Sequence, residues 1–406
     1  MMNILHNKLA AIFFVFILLG SSCNTVQTNK NSLPGSSKAT YLTDINFTVE
    51  DAPEWTTLFL RHAGWFGGDG IFVIPENGKD QSNNDVKRTI LFSDTMIGEI
   101  NNGVLKPGFV MIHNSVATIQ GSDPKSGKLE FHFDKKKDGS PESIFIPSTP
   151  DSRPGDYYWL GDGYVNKALD GNTYLFGYRI RDVKDKVTFA FEHVGTTIII
   201  IPKGSKPPYQ DQKQIDFPFF LAEDSGDPTA LGSGIYVNTK SAGAKNPDGH
   251  IYVYGVKGKE KALVAARVPE KDFENFDKWR FWNGRSWVDE PRKMTKITDR
   301  LSNELSVSLL PDGRYGLFFQ VDGIGSMIGL RIGSSPIGPF GPIIEVFDSK
   351  KALVDKNIFS YNAKAHPALS KPGQLLISYN VNSFDFNKDI LAYPNLYRPR
   401  FVNVKF

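Results

Sequence analysis

The chain has 406 residues, 40% of them hydrophobic and 13% aromatic, with 37 Gly, 25 Pro and 1 Cys. Its 47 Lys and Arg against 44 Asp and Glu leave a formal charge of +3, too near balance to give nucleic acid or an acidic membrane surface an electrostatic footprint. A lone cysteine excludes an internal disulfide.

In chain order the first element is a targeting signal. Lys8 precedes the apolar run LAAIFFVFILLG (9–20), and Ser21, Ser22 and Cys23 follow it. The run is too short and too promptly interrupted for a transmembrane helix and suits a signal peptide over residues 1–22. Small residues before the only cysteine resemble a bacterial lipoprotein signal, although Gly20 stands where Leu is usual. The resemblance implies that Cys23 is lipidated and that the protein is exported and lipid-anchored to the cell envelope, at the outer membrane or cell surface. That lipid would be its only tie to a membrane. The alternative is an ordinary secretory signal with Cys23 a chance thiol. With Cys23 taken by lipid, the folded part has no thiol for metal or nucleophilic chemistry. Residues 23–38 are rich in Ser, Asn, Thr, Gly and Lys, bury no core and read as a flexible tether.

From residue 39 the chain repeats one unit: strand, turn, aromatic strand. The copies are GGDGIFVIP (67–75) with RTILFSDT (88–95), LGDGYVNKA (160–168) with NTYLFGYR (172–179), LGSGIYVN (231–238) with GHIYVYGV (249–256), NELSVSLL (303–310) with RYGLFFQV (314–321), and NAKAHPAL (362–369) with QLLISYNV (374–381). Further strands read from ESIFIP (142–147), TTIIIIP (196–202), ALVAARV (262–268) and PRFVNVKF (399–406), with turns at Asp138-Gly139, Asp170-Gly171, Asp248-Gly249, Asp312-Gly313 and Pro372-Gly373. Residues 270–279 are at most a helical turn, and Lys135–Lys137 reads as a solvated hairpin rather than a binding patch. The expectation is an all-β chain: a five-bladed β-propeller with four-stranded antiparallel blades at about 66–150, 156–222, 229–290, 300–348 and 360–406. The stretch 39–49 supplies the missing strand of the last blade and closes the ring. A double sandwich is the competing fold.

In a propeller blade the start of the first strand and the end of the second lie on one face. That rule gathers Asp69 and Asp94 from the first unit, Asp162, Tyr178 and Arg179 from the second, and Ser233 from the third. The fourth adds Glu304, Gln320 and Asp322, and the fifth adds Tyr361, Asn362, His366, Tyr379, Asn380 and Asn382. His113 and Asn114, in IHNSV (112–116), reach the same rim, and Trp65, Tyr158 and Trp159 offer faces on which sugars stack. The competing reading of Gly-Asp-Gly is a turn in which Asp caps backbone N–H groups. Asp170, Asp248 and Asp312 fall in hairpin turns and are structural. His366 is a packed residue, a substrate contact or an ion ligand. No metal-ligand spacing, nucleophile elbow or phosphate loop is present, although a Ca or Na ion in the channel stays open.

GGDGIFVIP with TILFSDT (89–95), ALVAARVPEKDFENFDKWRFWNGRSWV (262–288), ELSVSLLPDGRYGLFF (304–319) with RIGSSPIGPFGP (331–342), and YNAKAHPALS (361–370) with LLISYNVNS (375–383) together resemble bacterial five-bladed propellers of the domain-of-unknown-function 4185 and 5005 type. The likeness covers nearly all of the chain past the tether. It is distant to glycoside hydrolase families 43, 32 and 68, which place an Asp, an Asp and a Glu on their first three blades. Asp69 and Asp162 match the first two positions, whereas Ser233 stands at the third and Glu304 lies one blade on. Asp94 matches the Asp of the uncharacterised families' Gly-Asp-Thr, with Ser93 in place of Gly.

What the resemblance implies is a surface-anchored glycosidase acting on an arabinan-like or related glycan. Asp69 would be base or nucleophile, Asp94 or Glu304 the acid, and Asp162 an orienting carboxylate. His113, Asn114, Trp159, Arg179, Gln320, Asp322, Tyr361, His366 and Asn380 would bind sugar. The alternatives are a non-catalytic glycan-binding lipoprotein and a structural propeller.

Overall fold

The computed structural model describes residues 42–125, 127–183, 190–222 and 228–406. The expected signal peptide, Cys23 and the tether lie outside the described residues. Seven sheets form among the described residues, and five of them, each of four or five antiparallel strands, follow in chain order. The first pairs Phe72–Pro75, Lys87–Phe92, Ser115–Gln120 and Glu130–His132, and the second pairs Tyr157–Asn166, Asn172–Asp182, Phe191–Ile201 and Lys213–Phe217. The third runs Thr229–Asn238, His250–Lys257, Ala262–Pro269, Arg280–Trp282 and Trp287–Val288, and the fourth Leu305–Leu309, Tyr315–Gln320, Met327–Gly333 and Ile344–Asp348. The fifth orders Ile324–Gly325, Ile358–Ala365, Gln374–Ser383, Arg400–Lys405 and Thr48–Asp51.

Thr48–Asp51 pairs antiparallel with the C-terminal strand, Thr48 opposite Lys405 and Asp51 opposite Val402, so the two ends of the described chain share one sheet. This strand is shorter than the stretch 39–49 suggested, and the third and fifth sheets carry five strands rather than four. Two short helices, Pro53–Leu58 and Phe386–Ala392, were not visible as helical periods, and residues 270–279 form two separate 3₁₀ turns. Asp134–Lys135 pairs with Pro141–Glu142 around the exposed lysine hairpin.

Alternation along the second strands decides how the sheets sit together. Successive side chains point to opposite faces, so a strand buried on both faces must have a neighbour on each. Leu91, Leu175 and Ile199 pack in one cluster between the first and second sheets, while Phe176 and Ile198 pack with Val253 of the third. Tyr254 faces Leu317 and Phe319 of the fourth, and Phe318 faces Ile377 of the fifth. Leu376 then packs with Ile90 and Phe92 of the first. Each such buried Leu, Ile or Phe contributes about 1.5–3 kcal/mol of apolar transfer free energy. The first strands of the sheets lie beside one another in the same order.

Candidate functional site

The site begins at a break in the first sheet's inner hairpin. Ala63–Gly68 pairs with Thr95–Asn101, and Phe72–Pro75 pairs with Lys87–Phe92, but the chain kinks between them on both sides. At the kink the Asp69 amide donates to the Asp94 carbonyl at 3.2 Å, and the Ser93 amide donates to the Asp69 carbonyl at 2.8 Å. Gly70 has φ +67°, and a Cβ there would stand 2.7 Å from Ser93 Oγ. The glycine is required by backbone handedness and by close approach together. Ser93 Oγ accepts from the Leu160 amide at 2.9 Å and so ties the kink to the second sheet.

This places the side chains of Asp69 and Asp94 together. Asp69 Oδ2 accepts from the Tyr361 hydroxyl at 2.7 Å, and Tyr397 reaches the same carboxyl. Asp69 Oδ1 is buried and has no hydrogen-bond partner. Burial and the charge of Asp94 push the Asp69 carboxyl up to about 8, against the two tyrosines, whose hydrogen bonds favour the anion. Asp94 Oδ1 accepts from His113 Nδ1 at 2.9 Å. The His113 ring stacks on Tyr157 with centroids 3.6 Å apart and planes at 16°, and the Tyr157 hydroxyl donates to Asp182 at 3.1 Å. Trp159 meets Phe191 edge to face at 4.6 Å and extends this aromatic wall.

A second polar group lies beside the pair. Glu304 Oε1 accepts from Asn362 Nδ2 at 2.8 Å, and Oε2 is paired with the Lys364 ammonium. Lys364 is buried and its Nζ lies 4.2 Å from the centroid of Phe72. Burial raises the Glu304 carboxyl, Lys364 opposes that shift, and the charge of Glu304 adds to the upward push on Asp69. Among the described residues no group of three or more His, Cys, Asp or Glu stands together as metal ligands. A cavity of about 590 Å³ opens at the other ends of the inner strands, lined by Pro75, Asp162, Val237 and Leu375, away from the carboxyl pair.

The family model for the domain of unknown function DUF5005 matches residues 52–406. The chain belongs to the DUF5005 family. No curated protein matches the sequence. Among solved structures, a Bacteroides ovatus protein described provisionally as a hydrolase is 19% identical, with 92% of this chain and 93% of that one covered at a TM-score of 0.67. An α-L-arabinofuranosidase from Clostridium thermocellum is 11% identical, with 76% and 82% covered at 0.44. An exo-β-1,3-galactanase from Phanerochaete chrysosporium is 10% identical, with 88% and 64% covered at 0.46. The first of these likenesses establishes a shared fold.

Several rim residues expected from the sequence are engaged elsewhere in the DUF5005 fold. Asp162 does what a turn aspartate does: Oδ1 accepts from the Gly163 amide at 2.8 Å and Oδ2 from the Ile235 amide at 2.7 Å, although burial still pushes it up to about 7. Arg179 is buried with Nη1 on Asp216 at 2.8 Å and Thr149 at 3.0 Å, so its guanidinium is committed to protein. Asn114 is a backbone clamp, donating to the Phe145 and Tyr158 carbonyls and accepting from the Phe145 amide. Gln320 donates to the Met327 carbonyl, Asn380 to the Gly68 carbonyl, and both side chains are buried. His366 bonds Ser378 Oγ at 2.7 Å in the interior, which is the packed reading. Asp322 pairs with exposed Arg300. Tyr158 and Trp65 are buried in inter-sheet clusters and present no face to a sugar.

Lys364, Tyr397 and Tyr157 were missed. Lys364 was legible as a lone charge inside an otherwise small and apolar inner strand. Tyr157 was legible by alternation, since Tyr158 between it and Trp159 must point the other way. Tyr397 follows an irregular segment and gave no periodic signal.

Proposed function

We propose that the five sheets are the blades of a closed five-bladed propeller and that the Asp69–Asp94 kink is the catalytic pair of a glycoside hydrolase. The support for closure is the series of inter-sheet clusters, which runs from the first sheet to the fifth and back to the first. The observation that carries the activity is two carboxyl groups at one break, of which burial and the charge of the other push one up to about 8. Glycosidic bond hydrolysis needs one carboxylic acid to protonate the leaving oxygen and one carboxylate to activate water or attack carbon.

The roles differ from the expectation set out from the sequence. Asp69 is the acid, because burial and a neighbouring charge keep it protonated and Oδ1 has no competing partner. Asp94 is the base or nucleophile. Glu304 has both its oxygens engaged, by Lys364 and Asn362, and it acts on Asp69 through its charge. Asp162 orients the third sheet through the Ile235 amide. His113, Trp159 and Tyr361 are the sugar contacts that lie by the pair. The substrate is a polysaccharide or oligosaccharide, with arabinan-like polymers the first to try on the strength of the family resemblance. Export and anchoring through Cys23 complete the proposal.

One observation favours the second reading, a glycan-binding protein without turnover. Ser233, at 3.4 Å from the Tyr178 hydroxyl, occupies the third-blade position where the distant hydrolase families carry Glu. Product release from a panel of plant, fungal and bacterial-wall polysaccharides separates the two. Sugar released by the parent, and lost in both Asp69→Asn and Asp94→Asn, is the expected result. Equal release from parent and variants overturns the pair as catalytic. Affinity without release from any polymer supports the binding protein.

A further inference from the structure

Two carboxyl groups meet at one kink, and the backbone alone does not say which of them should carry the charge. The surroundings of the two differ. Asp69 accepts only from phenols, and one of its oxygens is buried without a partner. Asp94 accepts from an imidazole N–H. A ring nitrogen that donates to a carboxylate oxygen stabilises the charged form of that carboxylate, and more so if the ring is itself protonated.

The position of His113 is built by several elements. Val110–Ile112 pairs with Thr95–Ile97, Thr95 opposite Ile112, which sets the next residue across from Asp94. The His113 amide donates to Ser143 Oγ at 2.9 Å. One ring face is covered by Tyr157, whose own hydroxyl is held by Asp182 of the second sheet. With Nδ1 on Asp94, the other nitrogen has no protein hydrogen bond among the described residues. The His113 side chain is 37% exposed against 19% for Asp94, so the ring lies on the solvent side of the pair. The titratable groups facing it are Asp94 on its own sheet, with Asp69 behind, and Tyr157 with Asp182 on the second sheet.

We propose that His113 is the positioning residue that fixes the negative charge of the carboxyl pair on Asp94, and that Tyr157 and Asp182 hold its imidazole for that task. The inference rests on the reading of Asp69 and Asp94 as an acid–base pair and adds what assigns the two roles. Without the Nδ1 donor, the charge on Asp94 loses a hydrogen bond and its carboxyl takes a proton more readily.

The test reads the proton itself rather than turnover. The full chain, labelled with ¹³C at the aspartate carboxyls, is titrated by NMR, with Asp69→Asn and Asp94→Asn spectra supplying the assignments. His113→Phe keeps a flat ring on Tyr157 and removes the donor. His113→Asn places an amide N–H near the Nδ1 position. A hydrogen bond to a charged group, at about 1.5–3 kcal/mol, corresponds to a movement of roughly one to two pH units. The Asp94 midpoint should rise by about that amount in His113→Phe and return most of the way in His113→Asn. Tyr157→Phe, which frees the ring from Asp182 with little change of volume, should raise it too, by less. An Asp94 midpoint unmoved in His113→Phe, or in Tyr157→Phe if the first variant does not fold, overturns the assignment. A parent that releases no sugar overturns the hydrolase reading and leaves this titration to stand or fall separately.

Discussion

Asp69→Asn should change the pH dependence of stability in one direction and one window. The carboxyl has an ordinary value of 3.8 and is raised to about 8 in the folded protein, by burial first and by Asp94 second. Below pH 4 both folded and unfolded chains carry the proton. Between pH 4 and 8 the unfolded chain gives it up and the folded chain does not, so the unfolded state gains and stability falls as pH rises. Above 8 the loss is complete. The limit set by a shift of 8 − 3.8, about 4 units, is roughly 5–6 kcal/mol at 1.36 kcal/mol per unit. Asp69 is half-buried rather than sealed, and the kink can relax around the charge, so about 2–3 kcal/mol is the expected effect. Asn keeps the acceptor for Tyr361 and has no proton to lose. Urea unfolding of parent and variant at about pH 5 and about pH 8.5 should therefore show the variant gaining on the parent by that amount. Asp162, raised to about 7, titrates in the same window but is present in both proteins and cancels. Parallel profiles for the two would refute the claim that Asp69 stays protonated in the folded state.

Two further substitutions test the neighbours. Lys364→Met leaves Glu304 buried beside Asn362 without its cation and should cost about 3–5 kcal/mol in denaturant unfolding, with most of the loss recovered in the double variant Lys364→Met/Glu304→Gln; additive losses would deny the coupling. Asp162→Asn turns an amide NH₂ toward one of the two backbone N–H groups that the carboxylate accepts and should lower stability by about 2–3 kcal/mol at pH 5, and because the carboxyl it replaces is itself raised to about 7 the deficit should narrow as pH rises to 8; a deficit that grows with pH would refute the assignment.

The sheet order was readable because each unit repeats a strand pair whose alternate residues are apolar on both faces, as in Ile198–Ile201, where Ile198 and Ile200 pack against the third sheet and Ile199 and Ile201 against the first. What alternation does not carry is the local break in register. The two Gly-Asp-Gly copies align perfectly as strings, yet they sit differently in their hairpins. In the first, Phe72 lies opposite Leu91 and Asp69 precedes the strand, at the level of Ser93 and Asp94. In the second, a bulge between Leu160 and Gly163 slides the motif, so that Gly163 lies opposite Leu175 and Leu160 opposite Gly177. The position equivalent to Asp69 in space is therefore Leu160, whose amide bonds Ser93 Oγ, and Asp162 falls deeper, where backbone N–H groups claim both its oxygens.

The same reasoning explains why residue types marked the rim better than they marked the roles on it. Whether an aspartate is an acid, a base or a turn cap depends on what meets its second oxygen, and here those partners come from far along the chain. Tyr361 lies 292 residues from Asp69, and Lys364 lies 60 from Glu304. The nearer Asp94–His113 bond spans 19 residues and a strand pairing that the sequence does suggest. Arg179 has the residue type of a sugar contact, but Asp216 and Thr149 reach it first. In the proposed propeller a funnel collects polar side chains from every blade, and buried charge in it must be neutralised before any is left for a ligand. Glu304, Asp162 and Arg179 are neutralised or satisfied by protein groups. Asp69, with a raised carboxyl and an unpartnered oxygen, and Asp94, with one imidazole, are not consumed in that way, and this is why the proposed chemistry is placed on them.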